Sequence, residues 1–157
     1  MCRLGLLIIT GAACVALSAC GEAQKSAAPA PAPAELTAAQ KAALLAELPA
    51  PYNAGDVAVG ETKFLLCRSC HTTAPGGPSI TGPNLHNVFG RKAGTLAEYK
   101  YSDALKASGL TWDAATLDAW VADPHALVKG AKMTFVGLKD AKARIDLVAY
   151  LKVETSR

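Results

Sequence analysis

Apolar positions recur with helical spacing through the C-terminal two thirds of the chain. Val57, Gly60, Phe64 and Cys67 lie at i, i+3, i+7 and i+10, on one face of a helix that Asp56 can cap. No run alternates with a period of two for long enough to predict a strand. The pattern therefore predicts an all-α fold.

Three further helices are predicted in this region. They lie at residues 102–108, at residues 117–121 with an end before Pro124, and at about residues 140–153. The segments between them are long and rich in glycine and proline, namely APGGPSITGPNL, FGRKAGT and PHALVKGAKMTFVGL. Loops of this length in so small a domain indicate that something other than protein fills the core.

The N-terminal part of the chain has a different pattern. Residues 4–17 are apolar, uncharged and preceded by Arg3, and they are fewer than the about 20 residues that a membrane-spanning helix needs. The run ends in LSAC, which is similar to the lipobox of bacterial lipoproteins. We therefore predict a lipoprotein-type export signal at residues 1–19 and acylation of Cys20. An ordinary cleaved signal or an uncleaved anchor is the alternative.

Residues 20–54 are predicted to be a linker rich in alanine and proline. The prolines of APAPAP fix φ and remove backbone donors, which favours an extended spacer. Thr37 and Gln40 have the spacing of a capping box, so a short helix is expected at about residues 37–48, outside the main domain. The folded domain is expected at residues 55–157.

Composition and charge narrow the possible functions. The chain has 157 residues, enough for one domain, and a formal net charge of only +3, which does not indicate nucleic-acid binding. Of its 5 cysteines, only Cys67 and Cys70 lie in the predicted domain. Two cysteines are too few for a disulfide framework.

These two cysteines belong to the motif CRSCH, residues 67–71. In a c-type haem site, thiols at this spacing add to the two vinyl groups, and the next histidine becomes an axial ligand of the iron. A thioredoxin-like pair would begin a helix in a βαβ unit, and a zinc site would need a second ligand pair. Neither context is present, so the motif predicts one haem c bound through Cys67 and Cys70, with His71 on its iron.

Met133 is the candidate ligand for the other face of the iron. Apart from the initiator it is the only methionine, and it lies in a loop between Gly130 and Gly137. A lone methionine often fills a gap in a core, but one in a loop can reach the ring, and His/Met ligation raises the reduction potential. His125 and His86 are the alternatives, and both are expected to face solvent.

The segment from residue 55 to residue 152 resembles the class I c-type cytochromes, which include mitochondrial cytochrome c and membrane-anchored bacterial relatives. The resemblance is carried by GDVAVGETKF, CRSCH, TGPNLHNVFGRKAGT, YSDALKASGLTW, VADP, GAKMTFVGL and DLVAYLK. It implies the cytochrome c fold, a few helices and long loops wrapped around one covalently bound haem. The interval between His71 and Met133 is that of mitochondrial members, which supports Met133 as the ligand.

The resemblance also implies roles for residues around the haem. The carbonyl of Pro83 would accept a hydrogen bond from the ring N–H of His71, and Phe135 would shield the haem edge. Gly60 would let the first and last helices cross closely. The haem propionates would be surrounded by Arg91, Tyr101, Ser102 and Trp112. Plain core packing is the alternative for Tyr101 and Trp112.

The sequence departs from the family pattern at several positions. Ala131 stands where threonine is frequent and Leu105 where asparagine is common, which removes polar groups near the haem. Trp120 replaces a frequent tyrosine near the methionine sulfur. Leu66 and Ile80 occupy positions that are often basic or polar, so the ring of lysines used for docking is thin.

The resemblance implies a one-electron carrier and no enzyme. Transient docking would let it shuttle electrons between a quinol–cytochrome c reductase and a cytochrome c oxidase. With the export signal, it implies a monomer tethered on the periplasmic side of a bacterial cytoplasmic membrane. Two alternatives stay open: an electron-accepting cytochrome for a periplasmic dehydrogenase, and a haem peroxidase or gas sensor with an open sixth site, against which Met133 argues.

Overall fold

Residues 35–157 are described by the structure, a computed structural model. They form six α-helices and one short 3-10 helix at Tyr52–Ala54, with no β-strand among them, so the all-α prediction is confirmed. The export signal and the lipidation predicted at Cys20 lie outside the described residues. The α-helices, numbered α1 to α6 in chain order, are Ala38–Ala46, Val57–Phe64, Asp103–Ala107, Ala114–Ala122, Pro124–Leu127 and Ala141–Thr155.

All six α-helices begin at side-chain caps that the sequence supplies. Thr37 and Gln40 form the predicted capping box of α1, with the backbone N–H of Thr37 donating to Gln40 Oε1 over 2.8 Å. Carboxylates of Asp56, Asp113 and Asp140 accept backbone N–H groups in the first turns of α2, α4 and α6. Such caps satisfy otherwise unpaired donors and stabilise a helix by about 1 kcal/mol each.

Helix α2 ends earlier than its apolar pattern predicted. The pattern extended the helical face to Cys67, but the α-helix ends at Phe64 and the chain continues in tight turns. Cys67 N–H donates to the carbonyl of Phe64 over 2.8 Å, an i to i+3 bond that tightens the last turn. Cys67 therefore follows α2 in a tighter, 3-10-like turn and packs beside Phe64, as the apolar pattern predicted.

The crossing of α2 and α6 is the most extensive helix contact of the domain. It depends on Gly60, because a Cβ there would lie 2.1 Å from the carbonyl oxygen of Asp146 and 2.6 Å from Tyr150 Cβ. Leu147 and Val148 of α6 are fully buried beside this crossing. The two helices thus form one wall of the domain core.

Helix α1 lies against the domain, whereas the sequence predicted it in a linker outside. Leu48, just beyond its end, is only 6% exposed within the core, and Leu45 packs beside it. Glu47 Oε2 lies 2.6 Å from Lys152 Nζ on α6. Leu45 and Leu48 give the C-terminal end of this alanine-rich helix an apolar surface that packs on the core. The described residues therefore form one unit.

The long loops are tied to the helices by backbone hydrogen bonds. Asn87 N–H donates to the carbonyl of Thr155 over 2.7 Å, and Trp112 N–H donates to the carbonyl of Arg91 over 2.9 Å. The first bond attaches a loop to the end of α6, and the second joins two loop segments to each other. Within residues 35–157, every helix is too short or too polar to cross a membrane.

Candidate cofactor site

A cavity of about 320 Å³ occupies the centre of the described unit. Its walls come from α2, α3, α4, α6 and the loops between them, and most of the lining is apolar. The apolar lining includes Phe64, Leu85, Val88, Leu105, Leu117, Val121, Leu147 and Leu151. Closely packed interiors rarely leave a space of this size, so the chain folds around a volume that its own side chains do not fill.

The CRSCH motif forms one part of the cavity wall. Cys67, Cys70 and His71 all line it, and both thiols are unpaired and half-buried. The N–H groups of Cys70 and His71 each donate to the carbonyl of Cys67 over 3.0 Å, which folds the motif into one turn. Burial raises the pKa of the Cys67 thiol to about 11, and Cys70 adds to the shift. A protonated thiol is unlike the low-pKa cysteine of a redox disulfide.

The imidazole of His71 is held in one tautomer. Its Nδ1 lies 2.7 Å from the carbonyl oxygen of Pro83. Because a carbonyl can only accept, Nδ1 carries the proton and Nε2 keeps a free lone pair. Burial lowers the pKa of His71, with the Pro83 bond acting in the opposite direction. A neutral ring oriented by a second contact is the form in which histidine binds metals.

Gly82 is required for this arrangement. A Cβ at this position would lie 2.3 Å from Cε1 of His71, so no larger residue fits without moving the ring. The N–H of Gly82 also donates to the carbonyl of Cys70 over 2.8 Å. Sequence reasoning did not single out this glycine, because the contact joins a loop to a ring eleven residues earlier.

Met133 lines the same cavity from the loop of residues 128–140. Its sulfur accepts a hydrogen bond from Nε1 of Trp120 over 3.1 Å. The Trp120 ring packs edge-on against Trp112, with 5.4 Å between ring centroids. The thioether is therefore held at the cavity by an aromatic pair, and a thioether sulfur has a second lone pair for a metal.

Polar residues predicted to surround the propionates also line the cavity. Arg91, Tyr101, Ser102 and Trp112 are all part of the wall, as are Pro83 and Phe135. Burial lowers the pKa of Arg91 and raises that of Tyr101. The Ser102 hydroxyl accepts from the N–H of Leu105 over 3.2 Å and caps α3. The polar donors thus share one cavity with the thiols, the imidazole and the thioether.

The other two histidines do not line the cavity. His125 is exposed on α5, as expected. His86 is only half-buried, but its Nδ1 is buried without a hydrogen-bond partner among the described residues, which differs from the solvent-facing position expected. Among residues 35–157 no three His, Cys, Asp or Glu side chains come together as a metal site.

Asn84 holds the loop that brings Pro83 to His71. It is only 6% exposed, and its Nδ2 donates to Thr72 Oγ1 over 2.7 Å and to the carbonyl of Ala74 over 3.0 Å. Sequence reasoning gave it no role, because its partners lie ten and twelve residues away and follow no helical period.

The residues of this cavity fit a c-type haem. Paired thiols one turn apart, a neutral imidazole, a thioether, apolar walls and buried polar donors are the groups that such a haem requires. The His71 ring packs directly on the backbone of Gly82 and occupies the place that a Cβ at position 82 would need.

Comparisons with known proteins agree with this fit, although no protein-family model matches the chain. A cytochrome c2 of Rhodomicrobium vannielii is 48% identical over 103 residues, which are 66% of this chain and 82% of that protein. A cytochrome c of Kluyveromyces lactis is 43% identical over 105 residues, 66% of this chain and 96% of that protein.

A solved structure is also similar. The cytochrome cH from Methylobacterium extorquens is 49% identical, covers 62% of this chain and 98% of its own, and has a TM-score of 0.57. Identity of this order over most of the length of these proteins shows that the chain belongs to the class I c-type cytochromes and carries one covalently bound haem c with its iron.

Proposed function

We propose that Cys67 and Cys70 bind the haem of this electron carrier through thioether bonds, with His71 and Met133 as the axial ligands of its iron. The bound haem supplies one-electron oxidation and reduction at that iron. The observation that carries the proposal is the hydrogen bond from His71 Nδ1 to the carbonyl of Pro83. Because this bond uses Nδ1, the lone pair of Nε2 is free to bind iron, and Met133 lines the same cavity as His71. With His71 and Met133 both bound to the iron, no position at the iron would be left for a substrate.

The remaining cavity residues bind and shield the haem. Arg91, Tyr101, Ser102 and Trp112 supply a guanidinium, a phenol, a hydroxyl and an indole N–H, which are suitable donors for two buried propionates. Phe135, which lines the cavity, would shield the edge of the bound haem through which electrons would pass. The apolar walls exclude water, so the surroundings of the iron change little when its charge changes. This arrangement favours electron transfer over catalysis.

We further propose that the carrier works on the periplasmic side of a bacterial cytoplasmic membrane, tethered by a lipid on Cys20. Its partners would be a quinol-oxidising complex and a terminal oxidase. The ring of docking lysines is expected to be thin, and two lysines of the Met133 loop already make contacts: Lys132 Nζ donates to the carbonyl of Lys100 over 3.1 Å, and Lys139 lies 3.4 Å from Asp123. A tether raises the effective concentration of the domain near membrane partners, so weak docking suffices.

Membrane attachment and partner choice can be tested together in the encoding bacterium after deletion of the gene. Quinol-dependent oxygen uptake by its membranes should fall and should return with the full chain. The Cys20→Ser variant should appear in the soluble fraction and restore uptake only at a higher concentration. Cys14→Ser is the matched control, since Cys14 lies in the same leader without a leucine three residues before it.

Two results would contradict parts of this proposal. Unchanged quinol-dependent uptake after deletion, with loss of electron flow from a periplasmic dehydrogenase, would exclude the proposed partners and favour the dehydrogenase alternative. Membrane attachment of Cys20→Ser equal to that of Cys14→Ser would exclude the lipid on Cys20.

A further inference from the structure

The loop that presents Met133 has little support along its middle. Within the described part of the chain, residues 132–137 make no backbone hydrogen bond. The loop is fixed before this segment, where Ala131 N–H donates to the carbonyl of Val128 over 3.1 Å, and after it, at residues 138 and 139. Segments without backbone hydrogen bonds open at low free energy. The position of Met133 therefore depends on the two ends of the segment, together with the side-chain bond from Trp120 to its sulfur.

Arg144 binds the second of these ends. Its Nη1 donates to the carbonyl of Leu138 over 3.0 Å and to the carbonyl of Lys139 over 2.8 Å. Its Nε donates to Asp118 Oδ1 on α4 over 2.9 Å. The side chains of Arg144 and Asp118 are only 15% and 22% exposed, so water screens this pair less than a surface pair. One guanidinium thus joins α4, α6 and the base of the loop.

Other contacts at this end attach to the last turn of α4. The N–H of Leu138 donates to the carbonyl of Val121 over 2.8 Å, and Lys139 Nζ donates to the carbonyl of Ala122 over 2.9 Å. The lysine side chain is 67% exposed and flexible, so it adds little to the attachment. Arg144 is the mostly buried, charged and forked member of the set, and its planar guanidinium serves two carbonyls and a carboxylate together.

We infer that Arg144 is a positioning residue for Met133, a role that rests on the proposal that Met133 is an axial ligand. By fixing residues 138 and 139 against α4, the guanidinium limits the fraction of molecules in which the loop has moved away from the cavity. Loss of the guanidinium raises that fraction, and an external ligand then competes with Met133 for the iron. The apparent affinity of such a ligand follows the open fraction directly.

The test is a titration of the full ferric, haem-loaded protein with imidazole. Binding is monitored by the loss of the absorption band of the methionine–iron bond. Arg144→Gln removes both carbonyl bonds, and we expect it to bind imidazole about tenfold more tightly than the wild type, or more. Asp118→Asn keeps the two carbonyl bonds and should show a smaller change. Asp56→Ala is the matched control, since it removes the cap of α2 without touching the loop and should leave imidazole affinity within about twofold.

The outcomes separate this inference from the ligand proposal. If the wild type shows the methionine band and Arg144→Gln binds imidazole with unchanged affinity, the role of Arg144 is overturned while Met133 stays the proposed ligand. A wild type without the band overturns Met133 as ligand and the inference with it. Arg144→Lys is measured in parallel in case Arg144→Gln does not fold. It offers one amine in place of the fork, so tighter imidazole binding than in the wild type supports the inference and equal binding overturns it.

Discussion

Nε1 of Trp120 donates a hydrogen bond to the sulfur of Met133 over 3.1 Å. An indole N–H can only donate, so the sulfur is the acceptor in this bond. The contact is stabilised by the edge-on packing of Trp120 against the buried Trp112. A donor on the sulfur withdraws electron density from it, which weakens its donation to ferric iron more than to ferrous iron. Trp120 should therefore raise the reduction potential.

Replacement of Trp120 by phenylalanine tests this effect. Trp120→Phe keeps an aromatic ring and removes the donor, so the potential should fall by about 20–60 mV, the equivalent of one ordinary hydrogen bond. Spectroelectrochemical titration measures the shift. Trp120→Tyr is the control, because its hydroxyl can donate to the same sulfur and should recover part of the difference. A potential equal to that of the wild type in Trp120→Phe would show that the bond does not tune the iron.

Gly82 should not tolerate a side chain. The Cβ of Gly82→Ala would lie 2.3 Å from Cε1 of His71, so either the ring or the loop must move. We expect a loss of about 2–4 kcal/mol in the free energy of unfolding, the range for overpacking at a site that cannot relax fully. Urea denaturation gives the value. Gly109→Ala is the comparison, because Gly109 has φ +68 and open space around it, and it should lose only about 1 kcal/mol through backbone strain.

Leu48 tests whether α1 is part of the folded unit. Leu48 is 6% exposed in the core, so Leu48→Ala should lower the free energy of unfolding by about 2–3 kcal/mol. Leu44→Ala, on the same helix but only half-buried and outside the core cluster, should lose less. Equal and small losses in both variants would mean that the helix does not contribute to the core in solution.

Tyr150 should make stability fall at alkaline pH. Burial, followed by Glu154 and Glu61, raises the pKa of its phenol from 10.0 to about 12. Between these values the unfolded chain loses the proton while the folded chain keeps it, so the stabilising contribution is complete below pH 10 and declines as the pH rises to about 12. Tyr150→Phe keeps the ring beside Phe64 and should lose less stability over this interval. Equal losses in urea titrations of both proteins would contradict the assignment.

Helix positions could be predicted where local rules decide them. The caps at Thr37 and Asp56 begin helices as expected, and α6 at Ala141–Thr155 lies close to the predicted range. The sequence pattern does not predict helix α5 at Pro124–Leu127, because Pro124 indicates only the end of α4. Proline also suits the first turn of a helix, where its missing N–H has no partner to lose.

Contacts between distant segments could not be predicted from local pattern. CRSCH indicates a haem because two cysteines three positions apart, followed directly by a histidine, form a local motif for c-type haem attachment. The packing of Leu48 in the core, the clash that keeps position 82 as glycine and the attachment of Arg144 to Leu138 depend on how loops return to the helices. No helical or strand period relates these partners, so the folded chain is needed to find them.

We propose that His71 and Met133 occupy both axial positions of the iron in a haem bound at Cys67 and Cys70. The most direct test is the visible spectrum of the full haem-loaded chain in both oxidation states, with and without carbon monoxide. We predict a far-red methionine band in the ferric protein that is absent in Met133→Ala, and no carbon monoxide binding by the ferrous wild type. A wild type that lacks the band and binds carbon monoxide would contradict the claim and favour an enzyme or gas sensor.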